Sequence, residues 1–165
     1  MPEIVVETEI DAPVERCFDL ARCIDLHCAT QKRAVETAVG ERTRGLLGAG
    51  DTVTWRSRHF LVTWSMTMKV VAFAPPRSYR DVALRGPFAR FEHDHVFVPS
   101  GAGAIMIDRI AFASPLGPLG RLVDRLVLRR YVARLLGERA EAIKVCAETA
   151  LGDRFLAGRL SGSPR

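Results

Sequence analysis

The sequence has 165 residues, of which 48% are hydrophobic and 26% charged, and its formal net charge is +5 at pH 7. This size and balance fit one globular domain with a buried core, and no apolar run reaches the roughly 18 residues that a membrane span needs. The opening MPEIVVETEI lacks the basic and then apolar pattern of a signal peptide. We therefore expect a cytoplasmic protein without stable membrane insertion, whose four cysteines are reduced.

The N-terminal part predicts one strand followed by two short helices. Residues 4–10 are rich in β-branched side chains with charges at alternate positions, which is typical of a strand. Asp11 can cap a helix over 11–20 that carries Pro13 in its first turn. A second helical piece is predicted over about 22–29.

A long series of antiparallel strands is predicted next. The Gly-rich stretch 43–51 and the Pro-Pro pair at 75–76 interrupt segments of strong alternation. The sequence PSGAG at 99–103 supplies a turn between the last two strands. The predicted strands cover 34–40, 51–60, 61–73, 77–84, 88–98 and 104–113.

The C-terminal part has helical periodicity, but its apolar stripe changes direction. The first stripe consists of Leu119, Leu122, Val123 and Leu126. A second stripe, which begins at Leu128, lies nearly opposite to it. Because a straight helix cannot bury both stripes against one sheet, we predict a short helix near 117–126, a break around 127–130 and a long helix to about 151.

The positive charge is concentrated in this C-terminal segment. Residues 115–165 contain 10 Lys and Arg against 5 Asp and Glu, whereas residues 1–114 contain 14 of each. The arginines are spaced through an amphipathic pattern, and few aromatic residues lie among them. We therefore favour a solvated helix face over a nucleic-acid surface and expect no nucleic-acid partner. A regulatory contact with another protein through the basic last helix is a further possibility, and this charge asymmetry is its only support.

The order of elements predicts an α+β fold. One strand, two short helices, about six strands and a long helix fit an antiparallel sheet with its helices on one side. A strongly curved sheet of about seven strands, wrapped around the terminal helix, would enclose a cavity. We assign residues 1–152 to this single domain and residues 153–165 to a flexible tail.

Five segments in this order carry a resemblance to a known family. They are IDAPVERCFDLARCIDLH, GAGDTVTWRSRHF, GPFARFEHDHVF, DRIAFASPLGPLG and RLLGERAEAIK. Together they resemble the START/helix-grip superfamily, in particular its bacterial polyketide cyclase/dehydrase and lipid-transport branch, over about residues 3–150. The resemblance implies a helix-grip fold with a deep apolar cavity for lipids, sterols, polyketides or other hydrophobic small molecules. It implies no single reaction, since members include carriers, sensors and cyclases.

The segment FEHDHVF places two histidines on one face of a predicted strand. Side chains alternate along a strand, so Phe91, His93, His95 and Phe97 share one face and the acids between them point the other way. Because the two phenylalanines belong against the terminal helix, we expect both imidazoles to point inward.

Two charged residues are predicted to join these histidines inside. If strands 88–98 and 104–113 form a hairpin, Asp108 falls opposite His93 or His95, depending on the register. Arg139 lies on the apolar face of the last helix, and a buried guanidinium needs an anion such as Asp108 or an anionic ligand group. His93, His95, Asp108 and Arg139 are therefore the candidate catalytic residues.

Strand alternation and helix periodicity also predict which residues line the cavity. The candidate ligand-binding residues are His27, Trp55, His59, Trp64, Met66, Met68, Phe91, Phe97, Phe112, Tyr131 and Leu135. A hydrophobic small molecule is thus the expected partner, and the sequence is compatible with a homodimer.

Several interpretations of this polar set stay open. We favour a non-catalytic carrier, because few polar groups lie within apolar walls. In the alternative, a cyclase or dehydratase, a histidine would abstract a proton α to a carbonyl, Asp108 would orient it and Arg139 would stabilise the enolate. The polar residues could also only satisfy one another within a core. A zinc site of His59, His93 and His95 is conceivable, but we expect neither metal nor cofactor.

Overall fold

The computed structural model describes residues 2–30, 35–59, 61–115 and 117–157. Its elements are β1 (Glu3–Ile10), α1 (Val14–Ala21), α2 (Ile24–Thr30), β2 (Thr37–Val39), β3 (Thr52–His59), β4 (Val62–Ala74), β5 (Ser78–Arg85), β6 (Arg90–Ser100), β7 (Gly103–Ala113), α3 (Gly117–Val123), a π-helical segment (Asp124–Leu128), α4 (Arg129–Glu148), a 3₁₀ turn (Ala150–Gly152) and α5 (Asp153–Leu156). Every helix in these ranges is too short or too polar to span a bilayer.

The strands that the structure describes form one antiparallel sheet of seven strands in the order β1-β7-β6-β5-β4-β3-β2. Strands β2 to β7 pair with their neighbours in the chain, and β1 closes the series by pairing with β7. The β1–β7 contact is close at Gly103, because a Cβ there would collide with the Ile10 carbonyl. The curled sheet and the long terminal helix confirm the predicted α+β architecture.

Helix α4 closes the sheet by packing against β1, α1 and α2. Its buried residues recur every three or four positions, at Leu136, Arg139, Ala140, Ile143, Cys146 and Ala147, which is the spacing of one helix face. Helix α1 completes the core, since the ring of Phe18 meets those of Tyr79 and Phe97 edge to face at 5.7 and 5.5 Å. These ring contacts hold α1 against the sheet.

The predicted break in the terminal helix takes a different form. The π-helical segment Asp124–Leu128 separates α3 from α4 and overlaps the kink or break predicted around 127–130. The first apolar stripe is largely exposed, since the exposed fractions of Leu119 and Leu126 are 62% and 61%. The buried Asp124 carboxylate anchors the segment by accepting hydrogen bonds from the backbone N–H (3.0 Å) and hydroxyl of Ser114.

The C-terminal end also differs from the prediction. A flexible tail is predicted from residue 153, but Asp153–Leu156 form α5, and Phe155 and Leu156 pack against the core. Residues 158–165 of the predicted tail, and residues 34 and 60 at the ends of two predicted strands, lie outside the described residues.

Candidate functional site

A cavity of about 420 Å³ lies between the curled sheet and α4. Of the candidate ligand-binding residues, its wall includes His27, Trp55, His59, Trp64, Met66, Met68, Phe91, Tyr131 and Leu135. The alternation predicts Phe97 and Phe112 there too, but they lie deeper in the core, against Phe18 and Phe88. Strand alternation predicts the side of the sheet on which a residue lies and does not predict its depth.

The histidines of β6 point inward, as the alternation predicts. Residues Phe91, His93, His95 and Phe97 are buried, whereas Asp94, on the other face, pairs with Arg80 through Arg80 Nη2 and Asp94 Oδ2 at 2.9 Å. Both imidazoles line the cavity. The neighbouring acids of the FEHDHVF segment are thus excluded as their partners.

Asp108 contacts both histidines from β7. The register sets it directly opposite His95, and its Oδ1 lies 2.7 Å from His95 Nδ1 and 3.1 Å from His93 Nε2. Burial opposes ionisation of Asp108, but the contacts with the two imidazoles outweigh it and hold its pKa well below the usual range. Burial, followed by the neighbouring His95, lowers the pKa of His93 to about 4, while Asp108 and Asp81 oppose the shift.

Strand β5 contributes two residues that the sequence analysis did not select. Asp81 Oδ1 lies 3.5 Å from His95 Nε2, and the ring of Tyr79 stacks on His95 with centroids 4.0 Å apart. Burial opposes the charge of Asp81, but His95, His93 and Arg139 together hold its pKa below the ordinary value. Both residues share the inward face of a strand that was predicted, so the same alternation could have found them.

Arg139 does not pair with Asp108 as expected. Its Nη2 donates to the Ala21 carbonyl oxygen at 2.7 Å, and the same oxygen accepts a hydrogen bond from the Tyr79 hydroxyl at 3.0 Å. This carbonyl ends α1, where the helix dipole is negative. Burial disfavours the guanidinium charge, but Tyr79, Asp108 and other nearby groups outweigh it and raise the pKa of Arg139.

A second polar group borders the cavity near α2. His27 Nε2 lies 2.9 Å from Glu36 Oε2, and the His27 ring stacks on Trp55 at 4.1 Å. Burial opposes the charge of Glu36, but His27 outweighs it and holds the Glu36 pKa below its ordinary value. Nearby, His59 Nδ1 lies 2.6 Å from the Tyr131 hydroxyl. No sequence pattern pointed to Glu36, because its partner is set by the fold.

A family model described as "Polyketide cyclase / dehydrase and lipid transport" matches residues 1–148. The chain belongs to this family. This match confirms the resemblance to the START/helix-grip superfamily that the sequence segments indicated. No curated protein matches the chain in sequence.

Solved structures of low sequence identity share the fold of this family member. TTHA0849 from Thermus thermophilus is 22% identical, with 86% of this chain and 97% of that chain covered and a TM-score of 0.68. A START superfamily protein from Mycobacterium smegmatis is 14% identical, with 88% and 97% covered and a TM-score of 0.65. The di-domain ARO/CYC StfQ from the steffimycin biosynthetic pathway is 14% identical, with 91% and 52% covered and a TM-score of 0.71.

The chemical groups of the cavity suit proton transfer or ion binding better than covalent catalysis. Cys23 lines the cavity, but burial raises the pKa of its thiol and disfavours the nucleophilic thiolate. Among the described residues, one group has the spacing of metal ligands, and it consists of Asp81, His93 and His95. His59, which the sequence placed in a conceivable zinc site, lies against Tyr131 and is not part of that group.

Proposed function

We propose that this protein binds a hydrophobic small molecule, such as a lipid, a polyketide or an aromatic metabolite, as a carrier or sequestering protein. The observation that carries this proposal is the cavity of about 420 Å³ between sheet and helix, walled by aromatic and methionine side chains. Ligand sites of this volume are typically apolar with a few polar groups that orient the ligand.

The polar groups of the wall support a ligand that carries polar substituents. The polar lining includes Asp81, His93, His95 and Arg139 and, near α2, the His27–Glu36 pair and Tyr131. The apolar lining includes Trp55, Trp64, Met66 and Met68. A ligand of about 20 heavy atoms at about 0.3 kcal/mol per atom would bind with a Kd of tens of micromolar.

Native mass spectrometry of gently purified protein tests the proposal first, because a bound ligand adds a reproducible mass. Affinity is then followed by the fluorescence of 1-anilinonaphthalene-8-sulfonate and its displacement by the identified compound. Leu135→Trp fills the cavity from α4 and should weaken binding at least about tenfold. Val145→Trp, on the same helix but 41% exposed, is the matched control and should bind as the wild type does.

Equal binding by the Leu135→Trp variant and the wild type would contradict the proposal, provided that circular dichroism shows both to be folded. Absence of any added mass and of any probe binding to the wild type would contradict it as well.

The second candidate function is a cyclase or dehydratase without a covalent intermediate. The observation that favours it is the buried Asp108 carboxylate against two cavity-lining imidazoles. In this function His93 would abstract a proton α to a substrate carbonyl, Asp108 would position the ring, and Arg139 would stabilise the enolate.

Turnover measurements separate the two functions. A poly-β-ketone analogue is incubated with the wild type and with the His93→Ala and His95→Ala variants, and product and binding are both measured. Retained binding with no turnover by any of the three proteins favours the carrier. Turnover by the wild type that is lost in His93→Ala, with binding retained, favours the enzyme.

A further inference from the structure

The Asp81 carboxylate faces His95 at a distance that a hydrogen bond does not explain. Asp81 Oδ1 lies 3.5 Å from His95 Nε2, whereas N–H···O hydrogen bonds measure about 2.7–3.2 Å. This oxygen is shielded from solvent and has no hydrogen-bond partner within the described ranges. A buried carboxylate oxygen without a partner costs about 1–3 kcal/mol or more, so a cation in contact with both atoms would stabilise the arrangement.

His93 places a third donor beside this pair. The rings of His93 and His95 lie 3.7 Å apart between centroids. One nitrogen from each ring and one Asp81 oxygen all lie within 4.8 Å of one another. Ligand atoms about 2.1 Å from a tetrahedral zinc ion are separated by about 3.4 Å. The Asp81–His95 distance of 3.5 Å is close to this value, and a His93 nitrogen completes a group whose ligand atoms all lie within 4.8 Å of one another.

We propose that Asp81, His93 and His95 bind one divalent first-row transition-metal ion. Two imidazoles and one carboxylate are a ligand set that suits zinc and non-haem iron(II). Three protein ligands leave coordination positions open, and these positions face the cavity that His93 and His95 line. The prediction from the sequence named His59, and not Asp81, as the third ligand of a conceivable zinc site.

The surroundings hold the proposed ligands in place. Asp108 Oδ1 lies 2.7 Å from His95 Nδ1, although the two atoms are not aligned for a hydrogen bond, and Nε2 of the same ring faces Asp81. A carboxylate on the far nitrogen is the usual support of a metal-bound histidine. Tyr79, stacked on His95 at 4.0 Å, restricts the ring further.

The local charge also favours a cation. The carboxylates of Asp81 and Asp108 act on the guanidinium of Arg139, which already donates to the Ala21 carbonyl. A divalent ion with one anionic oxygen at an open position would balance this set. A proton shared between Asp81 and His95 would balance it too, so the experiment has to separate metal from proton.

The test uses untagged, folded protein that has been dialysed against a chelator. Zn²⁺ binding is measured by isothermal titration calorimetry, and Co²⁺ binding by its visible absorption bands. We expect the wild type to bind one metal ion per chain. Loss of a residue that only supports a metal ligand lowers metal affinity about 10–100-fold, so loss of the ligand itself in Asp81→Asn should lower it at least about 100-fold. Asp94→Asn, which removes an outward carboxylate of β6, is the matched control and should keep the wild-type affinity.

Any of three results would overturn the proposal. These are no stoichiometric binding by the wild type, equal affinity of Asp81→Asn and wild type, or an equal loss in His59→Gln. Should Asp81→Asn fail to fold, as judged by circular dichroism, His93→Gln replaces it with the same expectation. No hydrophobic ligand is present in these titrations, so their outcome is independent of the proposed carrier function.

Discussion

Replacing Arg16 with methionine tests whether a side chain of α1 holds the end of α4. Arg16 Nε donates to the Ala147 carbonyl at 2.7 Å, and Nη2 donates to the carbonyls of Thr149 (2.8 Å) and Cys146 (3.2 Å). The carbonyls of Cys146 and Ala147 belong to the last turn of α4, where no backbone N–H is available within the helix, and Thr149 follows directly after it. Arg16 therefore acts as a cap that joins α1 to the C-terminal end of α4.

The expected loss follows from these three contacts. Hydrogen bonds from a charged donor contribute about 1.5–3 kcal/mol each when fully buried, but the Arg16 side chain is 24% exposed and water would replace part of them. With about 1 kcal/mol for each carbonyl, the free energy of unfolding should fall by about 3 kcal/mol. For a domain of this size that change lowers Tm by about 6–12 °C.

Urea unfolding followed by circular dichroism measures this change. Arg16 Nη1 also lies 2.7 Å from Asp153, whose side chain is 65% exposed. An ion pair this exposed contributes less than about 1 kcal/mol, so Asp153→Asn is the control that removes only the pair. A free energy of unfolding of Arg16→Met within about 1 kcal/mol of the wild type would refute the capping argument.

Three further predictions concern stability. Gly103→Ala should lower the free energy of unfolding, measured in urea, by about 1–3 kcal/mol, because the new Cβ meets the Ile10 carbonyl. Gly137→Ala lies in the middle of α4, where a Cβ has nothing within 4 Å, and should raise this free energy by about 0.5–1 kcal/mol. A change of the same sign in both variants would contradict the reasoning. Phe97→Ala should cost about 3–5 kcal/mol yet leave probe affinity of the folded protein unchanged, since Phe97 packs behind the cavity; a tenfold weaker probe affinity would be evidence against that placement. The folded-state pKa of Glu36 is lowered from 4.5, so its contribution to stability is present above that value and is lost as pH falls through the folded pKa. The difference in Tm between wild type and Glu36→Gln should therefore shrink on acidification below about pH 4.5, and a constant difference would contradict it.

Local patterns predicted the orientation of the histidines correctly. Alternation along a strand is a property of the backbone, so the inward positions of His93 and His95 followed from FEHDHVF alone. The turn before β7 narrowed the position of Asp108 to two registers, and the structure has it opposite His95 and in contact with both rings.

Partners from other elements could not be predicted in this way. Asp81 meets His95 only because β5 lies beside β6 in a particular register. Arg139 meets the Ala21 carbonyl only because α4 crosses the end of α1. Glu36 likewise reaches His27 from the start of β2. Each contact depends on how elements distant in the chain are placed, which the periodicity of one element does not encode.

In the C-terminal part, the irregular segment was predicted close to where it lies, but the reason given for it was wrong. The prediction of a break assumed that every apolar stripe must be buried, whereas soluble proteins expose much apolar surface. Leu119, Leu122 and Leu126 are all more than half exposed. The π-helical segment therefore joins a helix with an exposed apolar face to one with a buried face.

The positions of Trp55 and Trp64 give the protein a built-in optical reporter. The chain has two tryptophans, and both border the cavity, one almost fully buried and one partly exposed. Tryptophan fluorescence therefore comes from the cavity wall alone, with no contribution from tryptophans in other parts of the protein. Compound libraries can be screened on the unlabelled protein, with quenching and spectral shift as the readout.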